Sequence, residues 1–381
     1  MSWAVPLTDV QLTDEDVAAF LEVLEQGWLT MGPRTREFEL AFAERFGARH
    51  AVAVSSGTAA LHLALLAAGI GEGDEVLVPA MTFVAAAAAV RYCGARPVLI
   101  ESIGPEDLNI DPEDAARHIS PRTRAILATH WLGYACDLGA LEQLCGDHGL
   151  ILIEDCAQSI TARAADGRMT GTAGLAGCFS FFSKKQLAVG EGGMILTSDD
   201  AVEAKVRSLR SHAMTSVTWD RHLGYAESYD VLDLGFNFRI DEPRAALGLS
   251  RLARLEDDIA RRRALVWSYR DRLRDVPGLT LPWSQDDVAR SSHFGFAVLF
   301  DGEDVRERVA RELAAGGIQT THYPAINTLT GYADHPPRPR TEELAARHLL
   351  LPLSSTYTDQ EVDLVVRHLS EILAADSAPA G

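Results

Sequence analysis

Short, almost uninterrupted apolar runs recur through the middle of the chain, and helix-forming segments separate them. The two clearest helical segments are TAALHLALLAAG (58–69) and LGALEQLCGDHG (138–149). A strand that is covered on both faces has no polar side, and consecutive parallel strands need a crossover between them, usually a helix. The pattern therefore predicts an α/β fold with a mostly parallel sheet flanked by helices. The predicted strands are EVLVPA (75–80), PVLIE (97–101), AILATH (125–130), LILIEDCA (150–157), CFSFF (178–182) and MILTS (194–198).

The character of the sequence changes in its last third. RLARLEDDIARRRALVWSYRDRLRDV (251–276) has apolar positions near helical spacing and opposite charges four residues apart, which indicates a long amphipathic helix. Pro277-Gly278 ends this helix, and FGFAVLF (294–300) has the composition of a strand. We expect a large domain over residues 1–250 and a smaller C-terminal α/β domain over residues 251–381. The last residues of the second domain, 375–381, are expected to be a disordered tail.

Charge and hydropathy limit the classes of function. The chain has 381 residues, 47% of them hydrophobic, and a formal net charge of −19. An acidic chain without a basic block is a poor ligand for nucleic acid or for an anionic membrane. No apolar run is long enough to cross a bilayer, and the N-terminus lacks the features of a signal peptide, so we expect a cytoplasmic protein. The five cysteines form no CxxC pair, which predicts free thiols and no metal site.

The first of four chemical motifs is SSGTAALHLAL. It places Ser56, Gly57 and Thr58 at the start of a helix, where free backbone N–H groups and the helix dipole attract an anion such as phosphate. When this motif is taken alone, an ordinary N-cap explains it better.

The second motif is LILIEDCAQS. Asp155 stands at the carboxyl end of an apolar strand, where α/β sheets bind their ligands. A carboxylate buried there requires a cationic partner, such as a protonated pyridine nitrogen. Gln158 would then be placed to hydrogen-bond a ring oxygen. The alternative is that Asp155 caps the turn that follows the strand.

The third motif, FSFFSKKQLAVGEGGMILT (179–197), puts two adjacent lysines between two apolar strands. Lysine is almost never fully buried unless it is paired, and a Schiff base is one of the few good reasons to bury it. Ser180 and Lys185 are five residues apart across a strand end, so a phosphate-binding hydroxyl and a carbonyl-reactive amine could address two ends of one cofactor. The alternative is a solvated loop in which both lysines are exposed.

The fourth motif, LGFNFRIDEPRAALG (234–248), holds Asn237 between two phenylalanines and is followed by a favourable helix start at Pro243. Taken alone, it is simply a loop and the beginning of a helix. Together the four motifs supply a phosphate cradle, an acid for a pyridinium nitrogen, a Schiff-base lysine and polar groups that orient a ring. Pyridoxal 5'-phosphate needs this set of groups.

The motifs resemble those of the DegT-type sugar-nucleotide aminotransferases, a family of fold-type I pyridoxal-phosphate enzymes, over residues 7–372. SFFSKKQLAVGEGG is similar to the family pattern S-F-x-x-x-K-x-L followed by G-[ED]-G-G, which implies that Lys185 carries the cofactor covalently. Ser183-Lys184 departs from the Pro or Ala followed by Thr that is common in the family. The resemblance implies a fold-type I aminotransferase with a mostly parallel seven-stranded sheet.

Other segments resemble the family's cofactor-binding motifs. EDCAQS is similar to E-D-A-A-Q, SSGTAAL to S-G-T-x-A-L, and VPAMTFVAAAAAV to the segment whose aromatic ring stacks on the cofactor. GFNFRIDE is similar to G-Y-N-Y-R-M-x-E, which implies that Asn237 reaches the cofactor phosphate of the neighbouring subunit in a homodimer with shared active sites. The cofactor-binding residues that the resemblance implies are Gly57, Thr58, Phe83, Asp155, Gln158, Ser180, Lys185 and Asn237.

Two more segments bear on the substrate. GWLTMGPRTREFE is similar to G-W-[LI]-T-x-G-P, which is typical of family members that aminate C4 of a nucleotide-linked 4-keto-6-deoxy sugar, although Gly-Pro is also a routine turn. HYPAI (322–326) is similar to the family's H-Y-x-P-L near the sugar pocket. The implied reaction moves the amino group of L-glutamate to the C4 ketone of a 4-keto-6-deoxyhexose linked to dTDP or UDP. The implied sugar-nucleotide residues are Trp28, Thr30, Gly32, His322 and Tyr323.

Three alternatives stay open at this point. The acceptor could be a C3 ketone of a sugar nucleotide or a cyclitol ketone, since these differ in the substrate pocket and not in the cofactor residues. A dehydratase of the same family carries His at the lysine position, which Lys185 argues against. A non-catalytic regulator would not need the intact set of cofactor residues.

Overall fold

The computed structural model describes residues 3–216 and 218–376, so residues 377–381 of the expected disordered tail lie outside the described part. The described residues form fourteen α-helices and twelve β-strands. The helices are α1 (Asp14–Gln26), α2 (Pro33–Phe46), α3 (Gly57–Ala67), α4 (Ala85–Tyr92), α5 (Pro112–Arg117), α6 (Leu138–His148), α7 (Asp200–Arg210), α8 (Thr218–His222), α9 (Glu242–Ala253), α10 (Leu255–Leu273), α11 (Gln285–Arg290), α12 (Glu303–Ala315), α13 (Pro339–Arg347) and α14 (Asp359–Asp376). The strands are β1 (His50–Val54), β2 (Glu75–Pro79), β3 (Arg96–Ile100), β4 (Ser102–Gly104), β5 (Asp107–Ile110), β6 (Thr123–Thr129), β7 (Ile151–Asp155), β8 (Ala176–Ser180), β9 (Gly193–Thr197), β10 (Leu279–Thr280), β11 (Phe296–Phe300) and β12 (His348–Leu351).

The main sheet has seven strands in the order β1-β9-β8-β7-β6-β2-β3. Within it, β9 is antiparallel to both of its neighbours, and the other adjacent pairs are parallel. All six predicted strands are present, each within two residues of its predicted start. The sequence analysis missed β1, whose run HAVAV carries little apolar bulk. Because β6, β7 and β8 are parallel, their carboxyl ends meet at one edge of the sheet.

A second, three-stranded antiparallel sheet, β10-β11-β12, lies in the C-terminal part of the chain. Its strands pack with α10, α12 and α14 in one apolar cluster, which also takes in Val5 from the N-terminal segment and Trp131 from the main-sheet region. We keep the division near residue 250 as a proposal for the domain boundary. None of the described helices has the length and apolar character needed to cross a bilayer.

The long helix predicted over 251–276 is shorter than expected. Residues 251–253 belong to α9, and α10 begins at Leu255. Arg254 separates the two helices, with φ −108° and ψ 7°, and its guanidinium forms ion pairs with Asp16 on α1 and with Asp258 on α10. The amphipathic pattern continues through this break, so periodicity alone did not reveal it.

Glu242 joins the N-terminal segment to α9. The carboxylate is buried, and it accepts hydrogen bonds from the backbone amides of Gly32, Arg34 and Thr35, each at 2.8 Å. These amides are the unpaired donors at the start of α2, where a negative charge also complements the helix dipole.

We expect Glu242→Ala to lower the free energy of unfolding by about 3 kcal/mol, because buried amides lose their acceptor. Glu242→Gln keeps one acceptor oxygen and should lose less. Urea denaturation measures both, with Glu37→Ala on the exposed face of α2 as the control. Equal midpoints for Glu242→Ala and the control would contradict this role.

Candidate active site

A cavity of about 270 Å³ lies where the carboxyl ends of the parallel strands meet the start of α3. Most of the residues that the sequence analysis assigned to a cofactor line this cavity. They are Gly57, Thr58, Phe83, Asp155, Gln158, Ser180 and Lys185. These side chains come from widely separated parts of the chain, and the parallel sheet brings them together.

The start of α3 forms one end of the cavity. Ser56 is the N-cap, and its Oγ accepts a hydrogen bond from the amide of Ala59 at 3.1 Å, so the N-cap interpretation is right for Ser56. The amides of Gly57 and Thr58 have no acceptor among the residues that the structure describes. A Cβ on Gly57 would lie 2.7 Å from the Cβ of Ser180, so a glycine is required where β8 meets this helix. Two free amides and the Ser180 hydroxyl form a cradle that fits a phosphate group.

Asp155 lies at the end of β7 and is 5% exposed. Its Oδ1 accepts from the amide of Ala157 at 3.0 Å, so the turn-capping interpretation is also correct. Its Oδ2 accepts from Thr129 Oγ1 at a longer 3.3 Å. Burial raises the pKa of the Asp155 carboxyl, and the Ala157 amide and the positive charge of Lys185 oppose that shift. A cation in the cavity would stabilise the ionised carboxylate, and a protonated pyridine nitrogen fits this requirement.

Gln158 is almost fully buried beside Asp155. Its Oε1 accepts from the amide of Leu132 at 2.7 Å, and its backbone carbonyl accepts from Gln186 Nε2 at 3.0 Å. Because the oxygen of the side-chain amide is engaged, the orientation of that amide is fixed. Its nitrogen has no acceptor among the described residues, so a donor remains for a ring oxygen in the cavity.

The amine of Lys185 lies over the ring of Phe294, with Nζ 4.3 Å from the ring centre. Burial lowers the pKa of Lys185 to about 8, and the negative charge of Asp155 opposes part of that shift. A lysine amine with a pKa near 8 is far more often neutral at physiological pH than an ordinary one, and the neutral amine is the form that attacks a carbonyl.

The pKa of about 8 predicts the pH at which Lys185 reacts. At pH 7 about one tenth of an amine with this pKa is neutral, against about 0.04% of an amine at the ordinary value near 10.4. We expect cyanoborohydride trapping of pyridoxal phosphate on the protein to rise with pH around a midpoint near 8. Peptide mapping locates the modified lysine. The control is Nα-acetyl-lysine, whose side-chain amine is free, in the same buffers. A midpoint above 10 would contradict the burial of this amine.

Phe83 is well placed for ring stacking, since it is 58% exposed and lines the cavity. The sequence analysis missed two further lining aromatics, Phe182 and Phe294. Phe182 ends the predicted run CFSFF, which offered a signal. Phe294 reaches the cavity because the segment before β11 packs beside the main sheet, and no local pattern indicates that. Thr129 was detectable, since it is the last residue but one of the predicted strand AILATH, and in the structure it is paired in register with Asp155.

A second cavity, of about 340 Å³, adjoins the first and is lined in part by His322 and Tyr323. Tyr323 also lines the first cavity, so the HYPAI segment lies beside the candidate cofactor site. The walls that the two cavities share are formed by Phe83, Phe182, Lys184, Phe294 and Tyr323.

The N-terminal substrate segment does not line either cavity within a single chain. Trp28 packs edge-on against Trp219, with ring centres 4.8 Å apart. A Cβ on Gly32 would lie 2.8 Å from the Trp28 indole nitrogen, so this glycine is required for local packing. Thr30 is half-buried in the same segment and is absent from the lining of both cavities.

Asn237 also lies outside the cavity. Its neighbours Phe236 and Phe238 stack on each other, with ring centres 5.0 Å apart, and both contact the ring of His62 on α3. The side chain of Asn237 between them is exposed. Its expected role in the site of a neighbouring subunit therefore stays a prediction.

One group of possible metal ligands occurs within residues 3–216 and 218–376, formed by His130, Glu154 and Cys156. The Glu154 carboxylate accepts from His130 Nε2 at 2.9 Å and from three backbone amides in the segment 171–174. The other ring nitrogen of His130 accepts from the amide of Cys136 at 3.0 Å. Hydrogen bonds already engage the ring nitrogens of His130 and the carboxylate of Glu154, so these two residues fasten the 171–174 segment to the end of β7.

Comparisons with known proteins agree with this geometry. A sequence model of the DegT/DnrJ/EryC1/StrS aminotransferase family matches residues 10–370. The chain is 34% identical over 375 residues to the spore coat polysaccharide biosynthesis protein SpsC of Bacillus subtilis (strain 168), covering 94% of each protein.

Two solved structures of similar proteins extend the comparison to the fold. A crystal structure of DesV from S. venezuelae superposes with a TM-score of 0.89 at 34% identity, over 98% of this chain and 99% of DesV. A structure of DesI, determined in the presence of its TDP-sugar product, superposes with a TM-score of 0.87 at 32% identity, over 98% of this chain and 94% of DesI. The expected fold-type I architecture is confirmed. The chain belongs to the DegT/DnrJ/EryC1/StrS family of pyridoxal-phosphate-dependent aminotransferases.

Proposed function

We propose that this aminotransferase moves the amino group of L-glutamate to the C4 ketone of a 4-keto-6-deoxyhexose linked to dTDP, with pyridoxal phosphate held covalently by Lys185. The observation that carries the proposal is the cavity in which Lys185, Asp155 and the start of α3 meet. A half-buried amine of lowered pKa, a carboxylate suited to a pyridinium and a phosphate cradle match three separate parts of this cofactor.

The proposed acceptor rests on the relatives and on one segment. SpsC is named for polysaccharide biosynthesis, and DesI was studied with a TDP-sugar product. Both support a nucleotide-linked sugar for this chain. The choice of C4 over C3 rests on the GWLTMGP segment alone, and we propose that Trp28, Thr30 and Gly32 act in the sugar-nucleotide site of the neighbouring subunit.

We assign each cavity residue a task toward the cofactor, which when bound supplies an electron sink for the negative charge that forms at the donor α-carbon. The amides of Gly57 and Thr58 bind its phosphate, together with the hydroxyl of Ser180. Asp155 keeps the ring nitrogen protonated, and the amide nitrogen of Gln158 donates to the ring oxygen.

Lys185 moves the proton. Its amine, released when the amino group of glutamate takes its place on the cofactor, would accept the proton from the α-carbon of glutamate, and the ammonium so formed would be the acid that returns this proton later in the half-reaction. A pKa near 8 suits this task, because an acid–base catalyst works best when its pKa lies close to the operating pH. The ring of Phe294 covers one side of the amine, with its centre 4.3 Å from Nζ.

We further propose that the chain is a homodimer. The segment before α9 exposes a run of large apolar side chains that one chain leaves uncovered, and Asn237 follows this run directly. Exposed apolar patches of this kind mark protein–protein contacts. A second copy of the chain is the occupant that would also bring Asn237 to a cofactor site. The exposed side chains are Leu223, Tyr225, Tyr229, Val231, Leu232 and Leu234, with exposed fractions from 43% to 81%.

The variant Leu232→Asp/Leu234→Asp is expected to convert a dimer into a monomer, because charged residues are disfavoured in the core of an interface. Light scattering during size exclusion should give twice the 41.3 kDa chain mass for the wild type and the chain mass itself for the variant. Leu40→Asp, at an exposed leucine on α2 outside this run, is the control and should stay dimeric. A monomeric wild type would contradict the shared site.

The absorbance spectrum of the purified protein tests the function. We expect a visible cofactor band that is lost when L-glutamate alone is added and that returns with 2-oxoglutarate. Product analysis with dTDP-4-keto-6-deoxyglucose by NMR then decides whether the new C–N bond is at C4. A protein that stays colourless with added pyridoxal phosphate would overturn the proposal, and an amine at C3 would correct its regiochemistry.

A further inference from the structure

Lysine is rare in this chain, and its placement is uneven. Of the 35 lysines and arginines, three are lysines, at positions 184, 185 and 205. Two of these three are adjacent and line the candidate cofactor cavity. The proposed function uses Lys185 and leaves Lys184 without a task.

Lys184 lies at the junction of the two cavities. It contributes to the walls of both, in the turn that follows β8, and its side chain is exposed. Its amine makes no ion pair or hydrogen bond with the residues that the structure describes. Arginines elsewhere on the surface, such as Arg34 and Arg168, have carboxylate partners within 3 Å. A cation at the cavity wall therefore stays available to a ligand.

Among the residues that the described part of one chain contributes to the two cavity linings, Lys184 is the cation without a carboxylate partner. Within the described residues, neither lining contains an arginine, and the second cavity contains no carboxylate. The first contains Asp155, which faces the cofactor ring position, and Glu191 at its exposed edge. Lys185 must be neutral to act as a base, so its charge is not available to hold an anion.

We propose that Lys184 binds a carboxylate of the amino donor. This inference rests on the proposed function. The donor must bring its amino group to the cofactor beside Lys185, so its carboxylates lie a few bonds from the reacting atom. The diphosphate of a sugar nucleotide is separated from a C4 ketone by the sugar ring. A lysine amine is a compact charge on a flexible stem, suited to following a small donor that enters and leaves.

The test measures the glutamate concentration that half-converts the visible cofactor band. Lys184→Ala is expected to raise this concentration about 10-fold, which is the size of one hydrogen bond to a charged group. Lys184→Arg should restore most of the affinity, because it restores the charge. Lys205→Ala, at the remaining lysine, is exposed on α7 and should match the wild type.

A second readout avoids turnover. Glutarate carries two carboxylates and no amine, so calorimetry reports its binding without reaction. We expect Lys184→Ala to weaken glutarate about as much as glutamate. Comparing L-glutamate with L-glutamine locates the contact: weakening of glutamate alone assigns the side-chain carboxylate, and equal weakening of both assigns the α-carboxylate. Either pattern supports the inference.

Two results would overturn it. One is an unchanged half-conversion concentration in Lys184→Ala, and the other is weakened binding of dTDP with glutamate unaffected. Because residue 184 lies in an exposed turn, melting curves should show that the variants are folded. A wild type that does not respond to glutamate overturns the proposed donor and this inference together, whereas a responsive wild type with an equally responsive Lys184→Ala overturns the inference alone.

Discussion

Lys185→Ala is expected to abolish the glutamate-driven loss of the visible band, with a rate at least about 10³-fold below that of the wild type. The size follows from the loss of a positioned acid–base group, which contributes about 10²–10⁴-fold, together with the loss of the covalent attachment. Stopped-flow absorbance of the protein loaded with pyridoxal phosphate measures the rate. Mass spectrometry after borohydride reduction locates the attachment among three lysines.

Lys184→Ala is the matched control for this experiment. It removes the adjacent amine, should keep the spectral change at saturating glutamate, and should need more glutamate to reach it. The opposite pattern, in which Lys185→Ala responds and Lys184→Ala does not, would assign the chemistry to Lys184. The structure favours Lys185, because its amine lies against Phe294 and near enough to Asp155 to be influenced by its charge.

The second large effect is expected for Asp155→Asn, which should slow the glutamate half-reaction about 10²–10³-fold. The neutral amide of asparagine carries no negative charge to keep a ring nitrogen protonated, so the electron sink is weakened. The expected size of the effect is that of removing other preorganised electrostatic groups from active sites. Asp147→Asn, at an exposed position on α6, is the control and should leave the rate unchanged. A rate within a few-fold of the wild type would remove Asp155 from the mechanism.

The same variant should not lose stability as the cofactor-free protein. Burial raises the pKa of Asp155, so between its ordinary value near 4 and the raised value the folded state binds more protons than the unfolded state. The contribution of the Asp155 carboxyl to the free energy of unfolding is therefore present at low pH and is lost as the pH rises through that window. At pH 7 Asp155→Asn should be as stable as the wild type or more stable, and the difference should disappear below about pH 4. Urea denaturation at the two pH values checks this sign.

Local sequence pattern was enough to predict much of the fold. The runs that became β2, β3, β6, β7, β8 and β9 are mostly apolar in their central residues, because strands covered on both faces bury most of their side chains, and polar residues such as Asp155 stand at the strand ends. The break at Arg254 was not predictable, since the amphipathic pattern continues on both sides of it. β1 was missed because its run HAVAV carries little apolar bulk, and its pairing partner β9 lies far along the chain.

The sequence by itself determined the parts of the site that lie on single motifs. The spacing of these residues along the chain already limits where they can lie. Ser180 and Lys185 are near the end of one strand, Asp155 and Gln158 are near the end of another, and Gly57 and Thr58 are at the start of one helix. The βα alternation predicts that β6 and β7 are parallel and that their ends share one edge of the sheet, whereas β8 reaches the same edge through a connection without a helix.

The tertiary structure alone decided the rest. Phe294 and Tyr323 reach the cavity because the segments around β11 and β12 pack beside the main sheet, and no local pattern reports such a long-range contact. The same packing sets how much water surrounds Lys185, and therefore lowers its pKa to about 8, while Lys184 one residue earlier stays exposed at the wall. The two adjacent lysines differ in this way because the burial of each depends on which other parts of the chain pack against it. That packing exists only in the folded molecule.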